Sequence, residues 1–288
     1  MGGLLALEGA ARIFARPWPT LRDFALRPET LAGEPRRDAT LRVLVVGDSI
    51  VRGWGASYAQ SYPALLERMW AKEHLDTPIA FVNGGTDGMT CVDGVQLLPL
   101  LLQRFRTDVA LIAFGLNDCN LSRSCLDARR ENEFMVPAWV RLARHSRLFT
   151  GLERRWRRNR AECASWTGNR WEPRVSETAF SRALAEMARQ ARQAGAVPIL
   201  LTTTPLAPGF RPDVDETSRE ELRRSCDHYN DLIREAARVT GAGVVDVYTN
   251  LRLDPGDWAE DGIHLMPSGY RGVAEYLFEA LTPFLAAK

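Results

Sequence analysis

Five short runs rich in aliphatic and β-branched residues, at 42–46, 79–83, 108–114, 197–202 and 243–247, recur along this 288-residue chain. Helical patterns lie between most of them, and that alternation constrains the fold more than any other feature. Ser61-Tyr62-Pro63 opens one helix, followed by apolar Leu65, Leu66 and Met69. Gly94 to Arg106 reads as a second, with Pro99 near its first turns or at a kink. Ser176 starts a third, whose stripe of Phe180, Leu184 and Met187 ends before Gly195. Residues 216–239 and 267–285 supply two more, the latter with Pro267 near its first turn. Strands that alternate with helices predict an α/β fold built on a parallel sheet covered on both faces.

In such sheets ligands bind outside the carboxyl ends of the strands. Small polar motifs stand at three successive ends: Gly47-Asp48-Ser49, Asn83-Gly84-Gly85 and Gly115-Leu116-Asn117-Asp118. A fourth, Asp261-Gly262-Ile263-His264, lies near the C-terminus. A serine hydroxyl attacks a carbonyl only when an imidazole takes its proton and a carboxylate fixes the imidazole tautomer. Ser49, His264 and Asp261 are the residues that could do this, because a tight turn lets residues three apart face each other. The other histidines read as surface or structural: His74 follows a helix, His145 sits among arginines, and His228 lies in a helical charge pattern. Charge building on a carbonyl oxygen needs fixed donors. The Ser49 N–H, the Gly85 N–H and the Asn117 side chain are the candidates. Each motif alone also reads as a polar turn. Asp48 is expected to brace its loop, since a histidine is the better base near neutrality.

Composition is that of an ordinary globular protein, 45% hydrophobic and 25% charged, with a net charge of +1 that gives no reason to expect a nucleic-acid partner. The five cysteines show no C-x-x-C spacing, so a zinc or redox site is not expected, although a Cys119–Cys125 bridge is compatible with the loop between them. No cofactor or metal is expected. Residues 1–40 read as an N-terminal helical extension, with Leu4, Leu7, Ala11, Phe14 and Trp18 at helical spacing. It is either a helix lying on the domain or the tail of an anchor, which leaves the compartment open between soluble and envelope. No run reaches the roughly 18 apolar residues of a membrane span. Residues 119–175 are too long for a simple connection and read as a basic insertion. Thirteen arginines against six acidic residues between 123 and 174 give it an excess of seven positive charges, interleaved with tryptophans. Such a surface is either a solvated lid or a contact for an anionic membrane or polysaccharide.

In order, Gly-Asp-Ser, Gly, Gly-x-Asn-Asp and Asp-x-x-His resemble the blocks of the GDSL/SGNH hydrolase superfamily, carried by Ser49, Gly85, Asn117 and His264. Gly53-Trp54-Gly55 and Thr86-Asp87-Gly88 extend the match, which covers roughly 41–118 and 196–285 within a domain of 41–288. The resemblance implies a three-layer α/β/α flavodoxin-like fold and metal-free, serine-dependent hydrolysis of esters or thioesters, short acyl or acetyl esters first. The substrate would be a small-molecule, glycan or lipid ester. Trp54, Met89, Met266 and the loop Thr204-Pro205-Leu206 are expected to wall the pocket. The basic insertion departs from a minimal member. Its Ser146-Arg147-Leu148-Phe149 stretch and the Leu-rich N-terminus resemble larger, membrane-anchored bacterial members. Acyl transfer to a saccharide, and a non-catalytic binding module, are the alternative readings.

Overall fold

The computed structural model describes residues 39–122 and 172–285. Five strands form one parallel sheet: β1 (Leu41–Gly47), β2 (Ile79–Gly85), β3 (Val109–Ala113), β6 (Val197–Leu201) and β7 (Gly243–Val245). Their order is β2-β1-β3-β6-β7. All neighbours run parallel. A two-residue antiparallel ribbon, β4 (Leu121–Ser122) and β5 (Glu172–Pro173), joins the chain on either side of residues 123–171. The expected N-terminal helix and nearly all of the basic insertion lie outside the described residues.

The near-continuous hydrophobicity of β1 follows from its two buried faces. Leu44 and Val46 point into one core with α3 (Cys91–Phe105), α4 (Glu177–Gln193) and α5 (Glu216–Thr240). Val43 and Val45 point into the other with α2 (Tyr62–Glu73) and α6 (Pro267–Leu285). Phe180, Met187, Tyr229 and Ile233 fill the first layer, and Trp70, Tyr270, Val273 and Leu277 the second. Each fully buried aliphatic side chain contributes about 1.5–3 kcal/mol. The two apolar faces therefore outweigh any single polar contact at the rim.

Helix starts follow local chemistry. Ser176 accepts from the Ala179 N–H and begins α4, as its position in the sequence suggests. Helix α3 starts at Cys91 rather than Gly94, because Thr90 and Asp93 form a capping box three residues apart. The strands finish level with one another. Gly47 pairs with Gly85 on one side and with Ala113 on the other. Three chain reversals thereby open side by side at one rim of the sheet.

Candidate active site

The first reversal passes from β1 directly into α1 (Ser49–Arg52), a single turn capped by Asp48, whose Oδ1 accepts from the Ile50 N–H at 2.9 Å. The turn is tight enough that a β-carbon on Gly47 would sit 2.3 Å from the Ala113 carbonyl oxygen. Ser49 is therefore held at the strand end with its side chain directed at the opposite loop. There Gly262, with φ +65, allows the chain to fold back on itself. Asp261 Oδ1 accepts from the backbone N–H of Ile263 and of His264, each at 2.9 Å.

Three polar groups form a series across the cleft. Asp261 Oδ2 lies 2.6 Å from His264 Nδ1, and His264 Nε2 lies 3.0 Å from Ser49 Oγ. Burial raises the Asp261 carboxyl, but hydrogen bonds from His264 and from the Ile263 and His264 N–H groups outweigh it and hold the carboxyl below its usual range. An ionised carboxylate only accepts, so the ring proton belongs on Nδ1 and Nε2 is left to accept from the serine hydroxyl. Trp54 lies over the imidazole at 4.3 Å between ring centroids. Its own backbone is tied to Ser49 and Tyr270: the Trp54 N–H donates to the Ser49 carbonyl, and the Tyr270 hydroxyl donates to the Trp54 carbonyl, both at 2.9 Å. His74 stacks on Trp70, and His228 pairs with Glu177 at 3.2 Å, so neither approaches a serine in this cleft. His145 lies outside the described residues.

Gly85 does not offer the donor expected of it. Its N–H donates to Asn83 Oδ1 at 2.9 Å, while Asn83 Nδ2 laces the strand end to the Val51 carbonyl. A β-carbon on Gly85 would come within 2.2 Å of the Arg52 nitrogen, so its role is close packing beneath α1. Gly88, which sequence reasoning passed over, stands nearer the second candidate donor. Asn117 Nδ2 donates to the Met89 carbonyl at 3.0 Å, and among the described residues the Gly88 N–H donates to nothing. The Thr86-Asp87-Gly88 stretch was visible in the sequence. What the sequence could not reveal is that Asn83 already occupies the Gly85 N–H.

A cavity of about 100 Å³ opens beside Ser49 and His264, lined by Leu116, Asn117, Asn120, Leu206, Leu222, Cys226 and Ile263. Leu206 comes from the expected loop. Trp54, Met89 and Met266 do not line it. Met89 is buried in the core, Met266 is exposed, and Trp54 covers the histidine instead. Cys119 is a free thiol beside Cys226. Burial pushes the Cys119 thiol up, which makes it a poor nucleophile. Among the described residues no cluster of His, Cys, Asp or Glu could hold a metal ion. No described helix is long and apolar enough to cross a membrane.

Two carboxyls lie buried below the rim. Burial raises Asp48 from its ordinary 3.8 to about 7, with the Asp118 charge adding to the effect. Burial likewise brings Asp118 to about 6, against a hydrogen bond from Cys91. An acid whose folded pKa is raised has its full stability below the unfolded value and loses it as pH rises through the folded one. The parent protein is therefore expected to lose thermal stability relative to Asp48→Asn between pH 3.8 and about 7. Paired melting curves across that range check this, and a constant difference would exclude Asp48 as the group responsible.

A doubly wound sheet with hydroxyl, imidazole and carboxylate in hydrogen-bond series at its strand ends has the arrangement that serine hydrolases use. The chain belongs to the GDSL-like lipase/acylhydrolase family, whose sequence profile matches residues 45–271. It is 34% identical over 80 residues to an arylesterase of Vibrio mimicus, a match covering 28% of this chain and 39% of the relative. It is 36% identical over 80 residues to the esterase TesA of Pseudomonas aeruginosa, again over 28% of this chain and 39% of the relative. The chain thus spans about two fifths of the curated relatives it matches. The crystal structure of a lipase/acylhydrolase from Enterococcus faecalis superposes with a TM-score of 0.55 at 19% identity, covering 85% of this chain and 96% of that one. The likeness is one of fold.

Proposed function

We propose that the protein is a carboxylic ester hydrolase working through an acyl-serine. The observation that carries this reading is the unbroken contact from Asp261 through His264 to Ser49. Ser49 Oγ attacks the ester carbonyl as His264 Nε2 takes its proton. Asp261 stabilises the imidazolium that results. The Ser49 N–H, the Gly88 N–H and the second hydrogen of Asn117 Nδ2 receive the negative charge on the carbonyl oxygen. His264 then protonates the departing alcohol, and a water deprotonated by the same imidazole releases the acid and restores Ser49.

The cavity supports a short acyl group. An apolar cavity of about 150 Å³ holds a benzene ring. About 100 Å³ beside the serine therefore accepts a shorter chain of about four heavy atoms. Leu222, on α5, is one of its apolar walls. p-Nitrophenyl acetate, butyrate and octanoate are expected to show kcat/KM falling beyond butyrate, and Leu222→Ala is expected to lift the octanoate rate relative to acetate. The variant should cost about 2–5 kcal/mol of stability, so its folded fraction is measured alongside. Octanoate as the best substrate of the parent would refute the short-acyl assignment. An absence of turnover above Ser49→Ala would refute hydrolysis itself.

A further inference from the structure

Counted in the sequence, Arg174 is one of thirteen arginines in a basic insertion. In the fold its half-buried guanidinium is turned toward the cleft. Nη1 donates to Asn117 Oδ1 at 3.1 Å, and Nη2 donates to the Gly88 carbonyl at 3.3 Å. Asn117 Nδ2 donates in turn to the Met89 carbonyl at 3.0 Å. These contacts close a ring through both segments that supply the donors proposed for the carbonyl oxygen. The backbone behind the arginine is fixed as well. The Arg174 N–H donates to the Asn120 carbonyl at 3.1 Å, and the Val175 N–H donates to the Asp118 carbonyl at 3.2 Å. The Tyr229 hydroxyl donates to the Val175 carbonyl from α5.

An asparagine amide can face a site with either its oxygen or its nitrogen. A guanidinium carries donors only, so it accepts only the oxygen beside it. Nδ2 must then point to the Met89 carbonyl and the cleft. The cation also draws electron density from the amide through Oδ1, which strengthens the remaining N–H as a donor. With the amide reversed, a carbonyl dipole would oppose the charge that grows during attack.

We propose that Arg174 is a positioning residue that aims and polarises the Asn117 amide as an oxyanion donor, with the Gly88 carbonyl anchoring the other arm of its guanidinium. The assignment rests on the hydrolase reading above. Its geometry asks for a planar fork, which a lysine ammonium does not supply.

A double-mutant cycle on the full chain with p-nitrophenyl acetate tests it. Because Arg174 acts through one donor, Arg174→Met is expected to lower kcat about tenfold while KM stays within about twofold. Arg174→Lys should recover only part of that loss. In an Asn117→Ala background the same Met substitution should cost less than about twofold, because no amide is left to aim. Equal losses in both backgrounds, or a loss confined to KM, would overturn the assignment. Should Arg174→Met fail to fold, the cycle is read with Arg174→Lys. A second measurement does not depend on turnover. The Asn117 side-chain amide resonances, identified by their loss in Asn117→Ala, should shift in the Arg174 variant. Unmoved resonances would exclude the clamp. A parent no faster than Ser49→Ala would fail differently, by removing the hydrolase reading on which the assignment stands.

Discussion

Ser49→Ala is expected to remove ester hydrolysis by roughly 10⁶-fold in kcat, the scale seen when a serine hydrolase loses its nucleophile. Its effect on folding should be small. The side chain is short, and its hydroxyl contacts only His264 among the described residues, a single hydrogen bond worth about 0.5–1.5 kcal/mol. The Asp48 cap and the Gly47 reversal use backbone groups and survive the substitution. Steady-state rates and a thermal midpoint on the same preparation separate the two effects. A phosphonate reagent adds a chemical check, since mass spectrometry should locate its adduct on the Ser49 peptide of the parent. Turnover near the parental rate in pure Ser49→Ala would end the nucleophile assignment.

The sequence exposes the sheet because physics forces it to. Each central strand is buried on two faces, so Val43 to Val46 cannot alternate with polar residues, and the run stands out. The start of α3 was legible too. Thr90 and Asp93 spell a capping box, which sets the start three residues ahead of Gly94. That Ser49, Asp261 and His264 meet in one cleft was legible because the expectation depends on residue type and on a local turn. The donors proposed for the carbonyl oxygen were legible only in part. Which glycine has a free N–H depends on where Asn83 directs its amide, a side-chain choice with no sequence signature. Met89 looked like a pocket wall, yet its side chain turns into the core and only its carbonyl reaches the site. Arg174 was hidden for another reason. Its partner Asn117 lies 57 residues away, and in a charge count it is one arginine among many.

His264→Ala is expected to be nearly as damaging as Ser49→Ala, roughly 10⁶-fold, and the double variant no worse than either single one. Two groups that move one proton fail together, so their losses do not add. Asp261→Asn separates orientation from proton transfer. Asparagine Oδ1 can keep the backbone N–H bonds from Ile263 and His264, so the turn should persist. Its amide N–H₂ would then face Nδ1, where it favours the tautomer with the proton on Nε2. That tautomer cannot accept from Ser49 Oγ, and a loss of roughly 10⁴-fold follows with the fold intact. The pH profile supplies an independent test. Burial raises the Asp261 carboxyl, but the hydrogen bonds it accepts hold it below the usual carboxylate range, so it stays ionised wherever histidines titrate. The kcat/KM of the parent should therefore rise with pH as the general base loses its proton, and the same rise in Asp48→Asn excludes the buried carboxyl beside Ser49, raised to about 7, as its source. A flat profile measured where chemistry limits the rate, or an Asp261→Asn enzyme as fast as the parent, would break the chain from carboxylate to serine.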